Sequence, residues 1–327
     1  MSLSPTLRAF QDAGAEFLTR RPRAAIFDTM GLGKTPQAID AIKGLHANNP
    51  ADADRVLVIA PLATALGWQR ELDRWWPAHA PFTICRRKTP LPASGIVFVP
   101  WTDLSVRLPE LLKAAWDVVI GDEIHRIKGG TAVKMSRAFT GAWEKDGGAW
   151  ARLPGIVDQA KRVWMLTGTP MPNSRPIELL APLLALGAVG NVRDGACISR
   201  KDFENTFCRQ ENRWTPQGFD LLGRRNINDL ADLMRASGVI LRRTPADVPG
   251  ELPALQRVIV PLGGVKDCAT KAQLEYVQRG EIPPLTEMSA YRRDLGAAKA
   301  EAAIPWIISH LEDEDAMVVF VHHKAVG

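Results

Sequence analysis

Short apolar runs without polar interruption alternate along this chain with longer stretches whose apolar positions recur every three or four residues. The runs are residues 24–27, 56–60, 95–99, 116–121 and 162–167, and the amphipathic stretches between them include residues 37–42 and 67–72. Unbroken apolar runs predict strands buried on both faces, and their separation by helices predicts a parallel α/β sheet covered on both sides. Ligands of such a sheet gather at the carboxyl ends of its strands. Residues 141–155 break the rhythm, and Glu144 to Gly148 predicts a surface loop insertion. From about 175 to 236 the pattern is mostly helical, with loops near 187–195 and 214–218. Residues 239–241 predict a returning strand, 245–253 a Pro-rich linker, 289–311 a long helix that Pro305 should kink or restart, and 317–321 a last strand.

The first turn between a strand and a helix reads Asp28-Thr29-Met30-Gly31-Leu32-Gly33-Lys34-Thr35. Strand, glycine-rich loop, Gly-Lys-Thr and helix form the layout of a phosphate-binding loop. Backbone N–H groups and the helix N-terminus cradle phosphates, Lys34 reaches the terminal ones, and Thr35 is placed to ligate magnesium. Asp28 stands where the usual pattern has glycine, so this is a variant loop. Met30, Gly31, Leu32, Gly33, Lys34 and Thr35 are the expected nucleotide-binding set.

Asp122-Glu123-Ile124-His125 follows the strand that ends at Gly121. A P-loop ATPase needs a strand-end acid for the magnesium shell and a carboxylate to polarise the attacking water. Asp122 fits the first role and Glu123 the second, with His125 poised to sense the γ-phosphate or the next motif. Leu166-Thr167-Gly168-Thr169-Pro170 closes another strand, and its two hydroxyls could link the acidic pair to a moving element; an ordinary hydroxyl turn is the simpler reading of that stretch alone. Gln11, ahead of the P-loop, carries the donor and acceptor that could read adenine; a plain helix-surface residue is the simpler reading of it alone.

Of the ten tryptophans, most lie in apolar contexts that suit core packing, and Trp101 is the candidate for a surface task. The 327 residues suffice for about two domains. No apolar run reaches the roughly 18 residues of a membrane span, and no secretory h-region opens the chain. Four scattered cysteines suit free thiols in a reducing compartment rather than metal ligation. A net charge of +5 permits a nucleic-acid partner without requiring one. Arg20-Arg21-Pro22-Arg23 and Arg86-Arg87-Lys88 are the local basic clusters, either solvated surface or phosphate contacts.

These motifs in this order resemble the Swi/Snf-type ATPases of helicase superfamily two. The resemblance rests on residues 7–11, 28–35 with Gln37-Ala38-Ile39, Ile59-Ala60-Pro61 with Trp68-Gln69-Arg70-Glu71, 122–128, 166–170 with Pro172-Asn173, and Leu241-Arg242-Arg243-Thr244 with Asp247-Val248. Gly218-Phe219-Asp220 and residues 319–324 bring it nearest to the annealing-helicase (HARP-like) subgroup and its bacterial and phage relatives. The resemblance implies an ATP- and Mg2+-dependent translocase on double-stranded or branched DNA. It implies a RecA-like first lobe over residues 1–250, with a helical insertion at about 175–236, and a linker and truncated beginning of a second lobe over 251–327. It also implies Gln11 at adenine, Lys34, Asp122, Glu123 and His125 in hydrolysis, and Thr167, Gly168 and Thr169 in coupling. Pro61, Thr64, Trp101 and Thr102 would then face the DNA backbone.

The sequence departs from the family's pattern at Thr29 and Ile124, neither expected to ligate magnesium, and at Gly129, where the family's Asn is replaced and a looser loop is expected. The later motifs, with the arginine finger, are absent from these residues; such a finger is worth roughly 10³–10⁵ in rate. The expectation is a weakly active ATP-binding lobe, completed by a second-lobe polypeptide. The alternative is a nucleotide-dependent binding module or half of a split motor, and a restriction-type or remodelling parent would share the same motifs. No membrane partner is expected, and the compartment would be the cytoplasm of a bacterial or phage-infected cell, or the nucleus of a eukaryote.

Overall fold

The computed structural model describes residues 6–128, 134–146, 149–252, 259–261, 268–270, 275–276, 278–279, 284–311 and 317–321. The chain divides into two compact units, Met1–Pro253 and Ala254–Gly327.

The first unit is built on seven parallel strands in the order β11-β1-β8-β5-β2-β4-β3. They are β1 (Arg23–Ile26), β2 (Arg55–Ala60), β3 (Phe82–Ile84), β4 (Gly95–Pro100), β5 (Trp116–Asp122), β8 (Ala160–Leu166) and β11 (Ile240–Leu241). The apolar runs occupy the middle of the sheet because both faces are covered. Leu57, Ile59, Val97, Val99, Val119, Val163 and Met165 point into one core, and Val56, Val58, Ile96, Phe98, Val118, Trp164 and Leu166 into the other. Strand alternation therefore puts both rows of side chains along the central strand segments in apolar surroundings, which removes the polar positions a half-exposed strand would show. The helices α1 (Ala9–Thr19), α2 (Lys34–Asn48) and α3 (Ala65–Trp75) supply buried side chains to the second core. The first core takes them from α4 (Trp101–Leu111), α5 (Lys134–Thr140), α6 (Ile177–Leu186) and α8 (Ile227–Ala236). This is the RecA-like architecture expected from the sequence.

Three expectations need correction, and one strand went unread in the sequence. Residues 141–155 do not form a loop insertion: β6 (Ala142–Asp146) and β7 (Ala149–Leu153) pair as an antiparallel hairpin. The sequence between these strands reads Gly-Gly, a dipeptide common in hairpin connections, so the signal was present. The edge strand β3 was missed because three residues between Pro81 and a basic cluster carry too little pattern. A long helix does form, α9 (Leu285–Leu311), but it begins four residues early and continues past Pro305, which sacrifices one backbone bond without ending the ladder. Residues 317–321 carry no strand, and Phe320 is 93% exposed. An apolar run becomes a strand only where a neighbour takes its hydrogen bonds.

Within the region 175–236, α7 (Arg200–Phe203) runs into a wide helical turn, and β9 (Gln210–Glu211) pairs with β10 (Phe219–Asp220) as a small hairpin.

Candidate active site

All seven sheet strands run the same way, so their carboxyl ends share one edge. The order β1-β8-β5 makes three loops neighbours on that edge: the one after β1, the one after β8 and the one after β5. Register is direct, with Ile26 opposite Leu166 and Leu166 opposite Asp122. The P-loop, Thr167 to Thr169 and the Asp122-Glu123 pair thus emerge side by side.

The glycines of the loop have specific reasons. Gly31 and Gly33 have φ of +89° and +68°, conformations that side chains rarely adopt. A Cβ at Gly33 would stand 2.3 Å from Gln11 Nε2. Gln11 lies against the loop, donating to the Leu32 carbonyl at 3.4 Å and accepting the Arg8 N–H at 3.0 Å. Both faces of its amide therefore have partners, and reading adenine would require it to exchange them. Lys34 opens α2 and donates to the carbonyls of Asp28 (2.9 Å) and Thr29 (3.4 Å). Burial pulls its pKa below the ordinary lysine value, opposed by the charges of Glu123, Asp28 and Asp122.

Asp122 is buried. Its Oδ2 accepts the indole N–H of Trp68 at 2.9 Å, and its Oδ1 the amide of Glu123 at 2.9 Å. Desolvation raises its pKa, with the neighbouring Glu123 charge adding to the rise. Glu123 has φ of +52°, a strained conformation for a residue with a side chain, and one met at functional sites. Its carboxylate lies 3.1 Å from His125 Nδ1 and accepts the Thr167 hydroxyl at 3.2 Å. His125 Nδ1 also lies 3.0 Å from Thr167 Oγ1 and 3.4 Å from Thr169 Oγ1. The hydrogen bond from His125 holds the Glu123 carboxyl below the usual glutamate range. Gly168 completes the contact between loops, because a Cβ there would stand 2.5 Å from Met30 Cγ and 3.4 Å from Lys34 Nζ.

An open cavity of about 450 Å3 lies between these groups, lined by Met30, Gly31, Gly33, Lys34, Thr35, Pro36, Thr64, Gly67, Trp68, Glu71, Asp122 and Glu123. Glycines that leave the backbone bare, one lysine and paired carboxylates suit a nucleotide's phosphates with a hard cation. Thr35 and Asp122 both reach this cavity and are the residues that would hold magnesium.

The residues expected to face DNA separate. Pro61 and Thr64 sit on a short turn after β2, with Thr64 donating to the Pro61 carbonyl at 2.8 Å and lining the cavity itself. Thr102 is exposed. Trp101 is not a surface residue: it is 1% exposed, its ring lies against Phe139, and its N–H donates to the Asp122 carbonyl at 2.7 Å. A large apolar side chain at the start of α4 faces the sheet, and its one donor is spent bracing the acidic loop. The basic clusters are also committed. Arg86 and Arg87 pair with buried Asp103. Arg20 pairs with Glu16, and Arg21 bonds the Gly238 carbonyl, at the amino end of β1 away from the cavity.

Sequence reasoning missed the partner of Asp28. This fully buried carboxylate receives the Arg243 guanidinium through Nε at 3.1 Å and Nη2 at 2.5 Å, and the Arg243 N–H at 2.9 Å. Arg243 Nη2 also donates to Gln37 at 2.7 Å, and its Nη1 to the Phe10 carbonyl. Two arginines directly after a strand that returns beside β1 were the available signal, since a buried carboxylate demands a cation.

Residues 10–141 match the family model of the SNF2-related domain. The chain is 31% identical, over 99% of its own length and 32% of the relative's, to SWI/SNF-related matrix-associated actin-dependent regulator of chromatin subfamily A-like protein 1 of Xenopus tropicalis. It is 27% identical to the human DNA annealing helicase and endonuclease ZRANB3, over 99% of this chain and 30% of that protein. The chain thus spans about a third of the length of these curated relatives. A solved structure, the Sulfolobus solfataricus SWI2/SNF2 ATPase core in complex with dsDNA, aligns with a TM-score of 0.54 at 21% identity, covering 90% of this chain and 59% of that one.

Proposed function

Since the chain contains an SNF2-related domain and is similar to SWI/SNF-type and annealing-helicase proteins, we propose that its first unit binds and hydrolyses ATP as the nucleotide lobe of a motor that tracks along double-stranded or branched DNA. The observation that carries this reading is the row Ile26, Leu166 and Asp122, which delivers Lys34, Asp122 and Glu123 to one cavity and sets Thr167 behind Glu123 as its hydrogen-bond donor.

The division of labour follows from the environments. The loop amides and the N-terminus of α2 take the phosphates, and Lys34, now on loop carbonyls, turns to the terminal ones. Magnesium held at Thr35 and Asp122 would supply charge neutralisation on the phosphate oxygens. Glu123, kept ionised by His125 and Thr167, orients and deprotonates the attacking water. Thr167 and Thr169 bond the same His125 from the β8 loop, so a shift of that loop would re-aim Glu123. This is the physical basis for assigning them to coupling. Pro61, Thr64 and Thr102, at strand ends on the same edge, are the proposed backbone contacts to DNA, and such contacts carry register rather than sequence.

Among the described residues lining the cavity, Lys34 is the one cation. That supports slow turnover by this chain and acceleration by an arginine from a second-lobe polypeptide, an effect of roughly 10³–10⁵ in related NTPases. ATP hydrolysis measured with and without duplex DNA tests the proposal. Wild-type protein should bind ATP, Lys34→Ala should not, and Glu123→Gln should keep binding while turnover drops about 10²–10⁴-fold. Failure to bind ATP overturns the reading, and vigorous DNA-stimulated turnover by this chain alone overturns the need for a second lobe.

A further inference from the structure

The hairpin between α7 and α8 presents an exposed tryptophan on a rigid mount. Trp214 is 84% exposed, far more than its surface is expected to be without a partner. Its loop is not slack. The Trp214 N–H donates to Asn212 Oδ1 at 3.1 Å, and Asn212 Nδ2 donates to Asp220 at 2.7 Å across the hairpin. Thr215 Oγ1 bridges the carbonyls of Asn212 (2.9 Å) and Phe219 (2.7 Å). Below the tip, the Gly223 N–H bonds the Cys208 carbonyl at 2.7 Å, and Phe203, Phe207 and Cys208 are buried in the first core. The ring is therefore held out from the body by a braced support.

The hairpin and the residues just after it carry four arginines. Arg209, Arg213, Arg224 and Arg225 are all exposed, and none pairs with a carboxylate among the described residues. Arg213 lies 5.1 Å from the Trp214 ring and Arg209 3.9 Å from the Phe219 ring. Two acids share the hairpin with these arginines: exposed Glu211 on β9, and Asp220, which accepts from Asn212 and the Leu222 amide.

An uncharged indole face among unpaired guanidiniums matches a strand whose backbone is anionic and whose base faces are free. Bases within a duplex are stacked on each other, and only unpaired nucleotides offer a face. We propose that Trp214 stacks on an unpaired base where single and double strands meet, with the flanking arginines on the adjoining phosphates. The hairpin would thus select branched over uniformly paired DNA. The inference rests on the DNA reading above and narrows its substrate.

Fluorescence anisotropy with a labelled fork bearing single-stranded arms, with relaxed closed-circular duplex as competitor, tests it. Trp214→Ala should weaken fork binding about tenfold while its affinity for closed duplex and for ATP stays at the wild-type value. Trp214→Phe should restore most of the fork affinity. Equal fork binding by wild type and Trp214→Ala overturns the hairpin's role alone and leaves the tip to a protein partner. An equal loss for fork and closed duplex also overturns it. Wild-type protein that binds neither DNA overturns the DNA reading itself, and the inference with it.

Discussion

Asp28 and Glu123 illustrate how environment assigns work to single residues. Asp28 interrupts the usual glycine pattern of the loop, yet it is the buried anchor of Arg243. Removing one partner of a buried ion pair leaves the other uncompensated, at a cost of about 3–5 kcal/mol. Asp28→Ala should lose that much stability in chemical denaturation, and a loss well below 1 kcal/mol would show that the pair adds nothing. Glu123 makes a pH prediction. Its folded pKa lies below the ordinary 4.5, so the stability it contributes is complete above that value. It is lost as pH falls through the lower folded pKa. Asp122 runs the opposite way, its pKa raised above 3.8 by burial, so its ionised form costs stability. Magnesium-dependent nucleotide binding should consequently fade on acidification before the Glu123 cluster loosens. Binding titrations set beside melting curves over an acid series would reveal the order, and coincident losses would contradict it.

At the scale of elements, the site depends on how loops approach one another. The N-terminus of α2 begins only after Gly33 has taken a left-handed turn beneath Gln11. Gly33→Ala imposes a left-handed conformation worth about 1–2 kcal/mol and pushes Gln11 off the Leu32 carbonyl. Both stability and ATP affinity should fall, and an unaltered affinity would remove Gln11 from the proposed adenine contact. The strand ends were legible in the sequence because each motif follows an unbroken apolar run. The β6–β7 hairpin was legible only through its Gly-Gly dipeptide, and the short edge strand β3 was not, since a pairing partner outside its own window decides it. The tryptophans show the same limit. Trp68 and Trp101 read as a core residue and a surface candidate, yet both turn an N–H to the Asp122 loop.

For the whole molecule, every described residue lining the nucleotide cavity belongs to the unit Met1–Pro253. The final stretch of that unit wraps back over the site. Glu251 pairs with Arg8 at 2.7 Å, and Leu252 lies 3.0 Å from where a Cβ on Gly31 would be. A fragment of residues 1–253 should fold and bind ATP with the affinity of the full chain, whereas one ending at 241 should lose both Arg243 and that binding. Calorimetric titration of the two fragments tests this, and equal binding by both would show that the returning segment plays no part in the site.

The sequence by itself determined the parallel sheet, the phosphate loop and the acidic pair, because unbroken apolar runs and fixed local spacings need no distant partner to be read. Tertiary structure alone decided that Arg243 closes on Asp28 across 215 residues, that Thr167 reaches Glu123 across 44, and that Trp101 is buried while Trp214 is displayed. Those outcomes depend on which strands become neighbours and which polar groups must find partners once water is removed, and no window of the sequence contains both halves of such a pair.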